Sequence, residues 1–134
     1  MDKAELYEMA LNAKENAYSP YSNFRVGAAL LTKSGKVFTG CNVEVASYGA
    51  TCCAERTAIF KAVSEGETDF EAIAVDGDNE GFTFPCGICR QVMGEFATEL
   101  KIIVGDTNGK IDVFSLSDLL PHAFYKEELN TKEK

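Results

Sequence analysis

Two cysteines three residues apart, in Pro85-Cys86-Gly87-Ile88-Cys89, constrain this chain more than any other stretch. A proline precedes them and helix-forming sequence follows, so both sulfurs share one face and can grip a single ion. Two thiols do not complete a metal site. The chain holds five cysteines, an odd number, and shows no apolar export segment behind Met1-Asp2-Lys3-Ala4-Glu5. A disulfide framework is therefore a poor account of them, and metal binding or catalysis a better one.

The Cys-x-x-Cys pair alone fits a redox dithiol, half of a zinc ribbon, or part of a catalytic metal site. Nothing else suggests a disulfide exchanger, and a ribbon needs a second such pair, which is missing. Further ligands can come from Cys41, Cys52, Cys53 or the lone His122. A single histidine just past Pro121, without a spaced partner, is more often a surface residue. Cys41 falls in an expected strand, where a free cysteine is commonly a small core residue. Cys52 and Cys53 are adjacent, so one of them binds, and Cys53 has Glu55 two residues on with the small Ala54 between. Positions i and i+2 of a helix do not face each other. Cys53 and Glu55 reach one site only if Cys53 lies at the helix's N-terminal edge, which Gly49-Ala50-Thr51 before it permits.

Three thiolates with one open position is the plan of a catalytic zinc site, and a nearby non-ligand Glu is the general pattern of zinc deaminases. Cys53-Ala54-Glu55 with Pro85-Cys86-Gly87-Ile88-Cys89 fits its three-cysteine form. Three thiolates around Zn²⁺ leave a charge of about −1, which blunts the ion's ability to acidify water. Two helix N-termini, each offering about half a positive charge, compensate. Arg56 is the nearest cation in sequence and can hydrogen-bond a ligand sulfur; its bland alternative is a solvated helix arginine.

Around these residues the pattern predicts a helix over Lys3 to Ala17, a strand over Phe24 to Thr32 that is apolar on both faces, and a hairpin through Lys33-Ser34-Gly35-Lys36 into Val37–Glu44. A helix from Cys53 to Glu65 follows, ended by Gly66, then a short buried strand Ala72–Val75 and a polar loop Asp76–Gly81. A helix over Gly87–Ala97, strands Lys101–Val104 and Ile111–Phe114 around Thr107-Asn108-Gly109-Lys110, and a helical turn at Leu116–Leu120 complete the pattern. The expected fold is α/β, a mixed sheet of about five strands with helices on both faces. The 134 residues suit one domain, 1–134, with a charged tail from about Lys126 expected to be mobile. No run reaches the roughly 20 apolar residues that span a bilayer, so the reading is cytoplasmic with no membrane partner. A net charge of −8 and a pI near 4.6 argue against a nucleic-acid partner and favour a small neutral ligand.

The chain resembles the cytidine deaminases, specifically the small three-cysteine form. Four segments carry the resemblance, in order: Tyr18-Ser19-Pro20-Tyr21-Ser22-Asn23-Phe24-Arg25-Val26-Gly27-Ala28-Ala29-Leu30, Gly40-Cys41-Asn42-Val43-Glu44, Cys53-Ala54-Glu55-Arg56, and Pro85-Cys86-Gly87-Ile88-Cys89-Arg90-Gln91. It implies one Zn²⁺ per chain on Cys53, Cys86 and Cys89, with Glu55 as the catalytic base and then acid. It implies hydrolysis of cytidine and 2′-deoxycytidine at C4 to uridine and 2′-deoxyuridine, in pyrimidine salvage. A homotetramer with sites shared between subunits is also implied.

By the same resemblance Phe24, Asn42, Glu44 and Ala54 belong to the nucleoside pocket. Tyr48 and Phe124 resemble residues lent across subunit boundaries, with Tyr125 the alternative to Phe124 for stacking on the base. Three positions depart from the family pattern: Val45 where Asn is usual, Phe84 where Ser is common, and His122 where Gly is frequent. Two rivals stand beside this reading, a deaminase of another small aminopyrimidine and a non-catalytic structural zinc module.

Overall fold

A strand that is apolar on both faces is stable only between two layers. In a computed structural model describing residues 1–129, the segment with that pattern is β1 (Val26–Thr32), and its side chains are sandwiched on two sides. Around it run α1 (Lys3–Lys14), β2 (Val37–Cys41), α2 (Ala54–Ser64), β3 (Phe70–Gly77), α3 (Gly87–Phe96), β4 (Lys101–Gly105), β5 (Ile111–Ser115) and the single turn α4 (Leu116–Leu119). The five-stranded sheet has the order β2-β1-β3-β4-β5. Only β3 and β4 are parallel, and α3 crosses between them. The other three pairs are antiparallel.

Alternation along β1 divides the core. Ala29 faces Leu6, Tyr7 and Ala10 of α1. Ala28 and Leu30 face Ala54, Ala58, Ile59 and Ala62 of α2 and Met93 of α3. Ile59, Ile73 and Ile102 are fully buried there, each worth about 1.5–3 kcal/mol relative to exposure. The second layer brings both cysteine-capped helices, α2 and α3, to one side of the sheet. Gly40 in β2 sets how close α2 can come: a Cβ there would lie 2.6 Å from the Ala54 carbonyl oxygen and 2.6 Å from the Ala58 nitrogen.

The elements follow the sequence pattern with shifted ends: β1 begins at Val26 instead of Phe24 and β3 at Phe70 instead of Ala72. α1 ends at Lys14 instead of Ala17, because the Glu15, Asn16 and Ala17 amides turn back onto Asn12, Ala13 and Lys14 in tightened turns. β2 stops at Cys41, since Val43 leaves the sheet to bridge Tyr18 and Cys52. Asp76 and Gly77 are not loop residues but the end of β3, paired with Gly27 and Val26. Asp76 is tolerated in a buried strand because the Tyr7 hydroxyl donates to it and Lys14 Nζ lies 2.7 Å away.

The β4–β5 turn forms where Asn108-Gly109 signals it, with Gly109 at φ 87° and Asp106 accepting from the Asn108 and Lys110 amides. Of the expected tail, Lys126–Glu128 form a 3-10 turn and residues 130–134 lie outside the described residues. Among the described residues no helix is long and apolar enough to cross a membrane.

Candidate active site

α2 and α3 each begin with a cysteine in the capping position. Cys53 caps α2 and Cys86 caps α3, both with extended backbone, and neither side chain makes a capping hydrogen bond to its helix. Cys89, one turn into α3, is 0% exposed. The three Sγ atoms lie within 4.8 Å of one another, with Cys53 and Cys86 at 3.9 Å. Zinc–sulfur bonds of about 2.3 Å at tetrahedral angles space sulfurs about 3.8 Å apart, so the donors fit zinc in softness and spacing. The cluster contains neither Cys41, Cys52 nor His122. Cys52 instead accepts a hydrogen bond from Thr57 Oγ1 at 3.5 Å.

Arg56 sits one turn behind Cys53 and donates from Nη2 to its sulfur at 3.3 Å and to the Thr51 carbonyl at 3.5 Å. Hydrogen bonds from Cys89 and Arg56 outweigh burial and hold the Cys53 thiol down to about 5. Cys89 is pushed the other way, because its proton is held in the bond to Cys53 and its surroundings are dry. The bond to Cys53 in turn raises Arg56. Glu55, in the first turn of α2, is 3% exposed. Burial pushes its carboxyl up to about 7, with the Cys53 charge adding to the rise and Arg56 opposing it. A carboxyl with that value can both accept and return a proton near neutral pH.

Beside this corner, Glu44, Tyr21, Ser22, Tyr48 and Thr51 line a cavity of about 400 Å³. Glu44 accepts from the Tyr21 and Ser22 amides at 3.1 and 3.0 Å and from the Ser22 hydroxyl. Those bonds, the Ser22 hydroxyl first, hold its carboxyl below the usual range. Asn42 accepts from the Val26 amide at 2.9 Å and donates to the Phe24 carbonyl at 2.9 Å. Tyr48 is 70% exposed and meets only the edge of Tyr21, ring centroids 5.4 Å apart. A larger cavity, about 420 Å³, lies on the α1 side of the sheet around Tyr7, Lys14 and Asp76, away from the sulfurs.

Residues 1–105 match the family model described as the cytidine and deoxycytidylate deaminase zinc-binding region. The chain belongs to this family. It is 52% identical over 131 residues to a cytidine deaminase of Halalkalibacterium halodurans, covering 97% of this chain and 99% of that protein. A crystal structure of cytidine deaminase from Burkholderia pseudomallei matches with a TM-score of 0.88 and 53% identity, covering 92% of this chain and 100% of that one. The cytidine deaminase of Mycobacterium tuberculosis matches with a TM-score of 0.81 and 42% identity, over 92% of this chain and 98% of that one. Zinc is the metal of this deaminase family, and Cys53, Cys86 and Cys89 are positioned to hold it.

The fold brings Cys53, Glu55, Arg56, Cys86 and Cys89 to one corner, and Glu44 and Tyr48 to the neighbouring cavity. Ala54 is wholly buried in the core between α2 and the sheet. Phe124 is not brought to that cavity within one chain: it is 53% exposed and lines another, with Phe60, Gln91 and Phe96. Tyr125 packs instead on α3, where a Cβ at Gly94 would lie 3.0 Å from its ring.

Of the departures from the family pattern, Phe84 joins an aromatic cluster with Phe82 and Phe114. The Val45 amide donates to Thr51 Oγ1 at 3.4 Å. His122 has φ 54°, the left-handed conformation that explains why glycine is frequent there. The sequence reading singled out neither Ser22 nor Asp78 on its own account. Their partners, Glu44 and Arg25, lie 22 and 53 residues away in the chain, and no local spacing signals such pairs.

Proposed function

We propose that this protein is a zinc-dependent cytidine deaminase, hydrolysing cytidine and 2′-deoxycytidine to uridine and 2′-deoxyuridine with release of ammonia. Its setting is pyrimidine salvage in the cytoplasm. The observation that carries the reading is the buried Glu55 carboxyl beside three sulfurs that converge within 4.8 Å of one another. Zinc held by Cys53, Cys86 and Cys89 would supply Lewis-acid activation of a water molecule. Glu55 handles the protons: it accepts one from the attacking water and delivers it to N3 of the cytosine ring. It then carries a second, taken from the new C4 hydroxyl as that becomes the carbonyl, to the departing amino group. A C4–O bond forms, the C4–N bond breaks, and one water is exchanged for one ammonia.

Arg56 offsets the charge of the thiolates and, through Cys53, steadies the start of α2. Phe24, Asn42, Glu44, Tyr48 and Ala54 form the nucleoside pocket, and Phe124 is lent to the base of a neighbouring subunit in a homotetramer. Supporting the assembly, Phe60 on α2 and Ile88 on α3 are exposed apolar residues, as is Phe124. A structural zinc module needs four protein ligands, whereas the cluster among the described residues has three.

Ammonia release from cytidine and 2′-deoxycytidine, followed beside a panel of other aminopyrimidines, tests the activity and separates the rival substrates. Glu55→Gln is expected to keep its zinc and lose turnover by about 10²- to 10⁴-fold, the scale of general acid–base catalysis. Full activity in that variant sinks the assignment.

A further inference from the structure

The chain between α1 and β1 has no ladder of its own, yet every backbone N–H from Tyr21 to Val26 has a partner. Tyr21 and Ser22 donate to Glu44 at 3.1 and 3.0 Å. Asn23, left-handed at φ 57°, donates to the Ser19 carbonyl at 2.9 Å. Phe24 donates to Ser22 Oγ at 3.1 Å, Arg25 to Asp78 Oδ2 at 2.8 Å, and Val26 to Asn42 Oδ1 at 2.9 Å. Four of these six bonds end on three distant side chains, those of Glu44, Asn42 and Asp78. Glu44 and Asn42 already have a place in the proposed pocket. Asp78 has none.

We propose that Asp78 is a positioning residue of the nucleoside pocket, seating Phe24 by holding both the backbone and the side chain of Arg25. Its carboxylate takes the Arg25 amide and also the guanidinium fork, Nε at 3.1 Å and Nη2 at 3.1 Å. Charge-assisted, two-pronged bonds of this kind fix direction as well as distance. Lys14 Nζ, 3.5 Å from Asp78 and 2.7 Å from Asp76, ties the same strand end to α1.

The preceding residue completes the seat. A Cβ at Gly77 would lie 3.0 Å from Phe24 Cε1 and 2.4 Å from Thr83 Oγ1, so glycine makes room for the ring. Residues 77 and 78 thus receive residues 24 and 25 as a unit: Gly77 accommodates the aromatic side chain and Asp78 anchors its neighbour. Glu44 and Asn42 hold the loop from the other side. Asp78 acts on the nucleoside only through Phe24, and in that respect the inference rests on the function proposed above.

The test uses the zinc-loaded full chain and two readouts. Asp78→Ala is expected to raise KM for cytidine about tenfold while changing kcat far less, as loss of a charged hydrogen bond to a binding element should. Arg25→Ala keeps the amide bond to Asp78 and should raise KM only about two- to threefold. Asp78→Asn, still able to accept the amide, should fall between them. Amide hydrogen exchange reports the clamp without substrate: the Phe24 and Arg25 amides should exchange about tenfold faster in Asp78→Ala, with α2 amides unchanged. Unchanged exchange at Arg25 overturns the proposal. So does faster exchange with KM unmoved, or a general loss of Tm with kcat and KM altered together. Should the unsubstituted protein release no ammonia from cytidine, the functional reading falls, and the exchange rates still decide whether Asp78 seats Phe24.

Discussion

The sulfur corner and the loop before β1 are held by opposite means. The corner stands on the first residues of α2 and α3, whose apolar faces are pressed into the larger core cluster. The backbone of the loop from Tyr21 to Val26 is fixed mainly by side-chain bonds to Glu44, Asn42 and Asp78. Chemistry that needs a metal and a proton carrier thus rests on rigid secondary structure. The nucleoside recognition proposed above rests on a hydrogen-bonded loop, whose geometry single polar substitutions can adjust. Damage to the corner should therefore remove metal and activity together, and damage to the loop should leave zinc in place.

The largest expected effect comes from Cys89→Ala, which removes the buried sulfur. Zinc content measured by atomic absorption should fall to background and turnover with it, and retention of stoichiometric zinc would break the contrast. Next is Gly40→Val, distant from the sulfurs in sequence but against the backbone of α2. Its side chain must displace that helix, lowering stability by about 1–3 kcal/mol in denaturant unfolding and loosening the metal. If zinc affinity stays unchanged, the corner does not depend on the seating of α2.

The smallest effect is expected from Ser22→Ala, which removes the hydroxyl bond that most lowers the Glu44 carboxyl. A depressed carboxylate contributes stability that is present above its ordinary titration range and lost as pH falls through its folded value. The Tm difference between this variant and the parent should accordingly be widest near neutral pH and shrink in acid, with zinc content unaltered. A difference that grows in acid would reverse the sign assigned to Glu44.

The contrast also marks what could be read from the sequence. Cys86 and Cys89 were legible as a pair from helix spacing, and the zinc-deaminase pattern joined Cys53 and Glu55 to them across 33 residues of chain. The layers were legible too, since the two-faced apolar pattern of β1 demands cover on both sides. The loop bonds were not, because a carboxylate such as Asp78 looks like any solvated turn residue until the fold sets it against Arg25. Asp76 was placed in a loop for the same reason: its partners Lys14 and Tyr7 lie on α1. Element ends shifted where side chains or tightened turns took over from ladders, as at Lys14 and Cys41.

One consequence of the sulfur cluster concerns the chain as a polymer. Cys53 and Cys86 are 33 residues apart in sequence, and between them lie α2, all of β3 and the entry to α3. A metal bound to both closes that stretch into a ring, and a ring of this length lowers the entropy of the unfolded chain by an amount worth about 4 kcal/mol. The ion that serves the reaction is then also a staple. Chelation should lower the thermal midpoint of a protein whose core is untouched, and heating the loaded protein should release metal and melt the sheet in one transition.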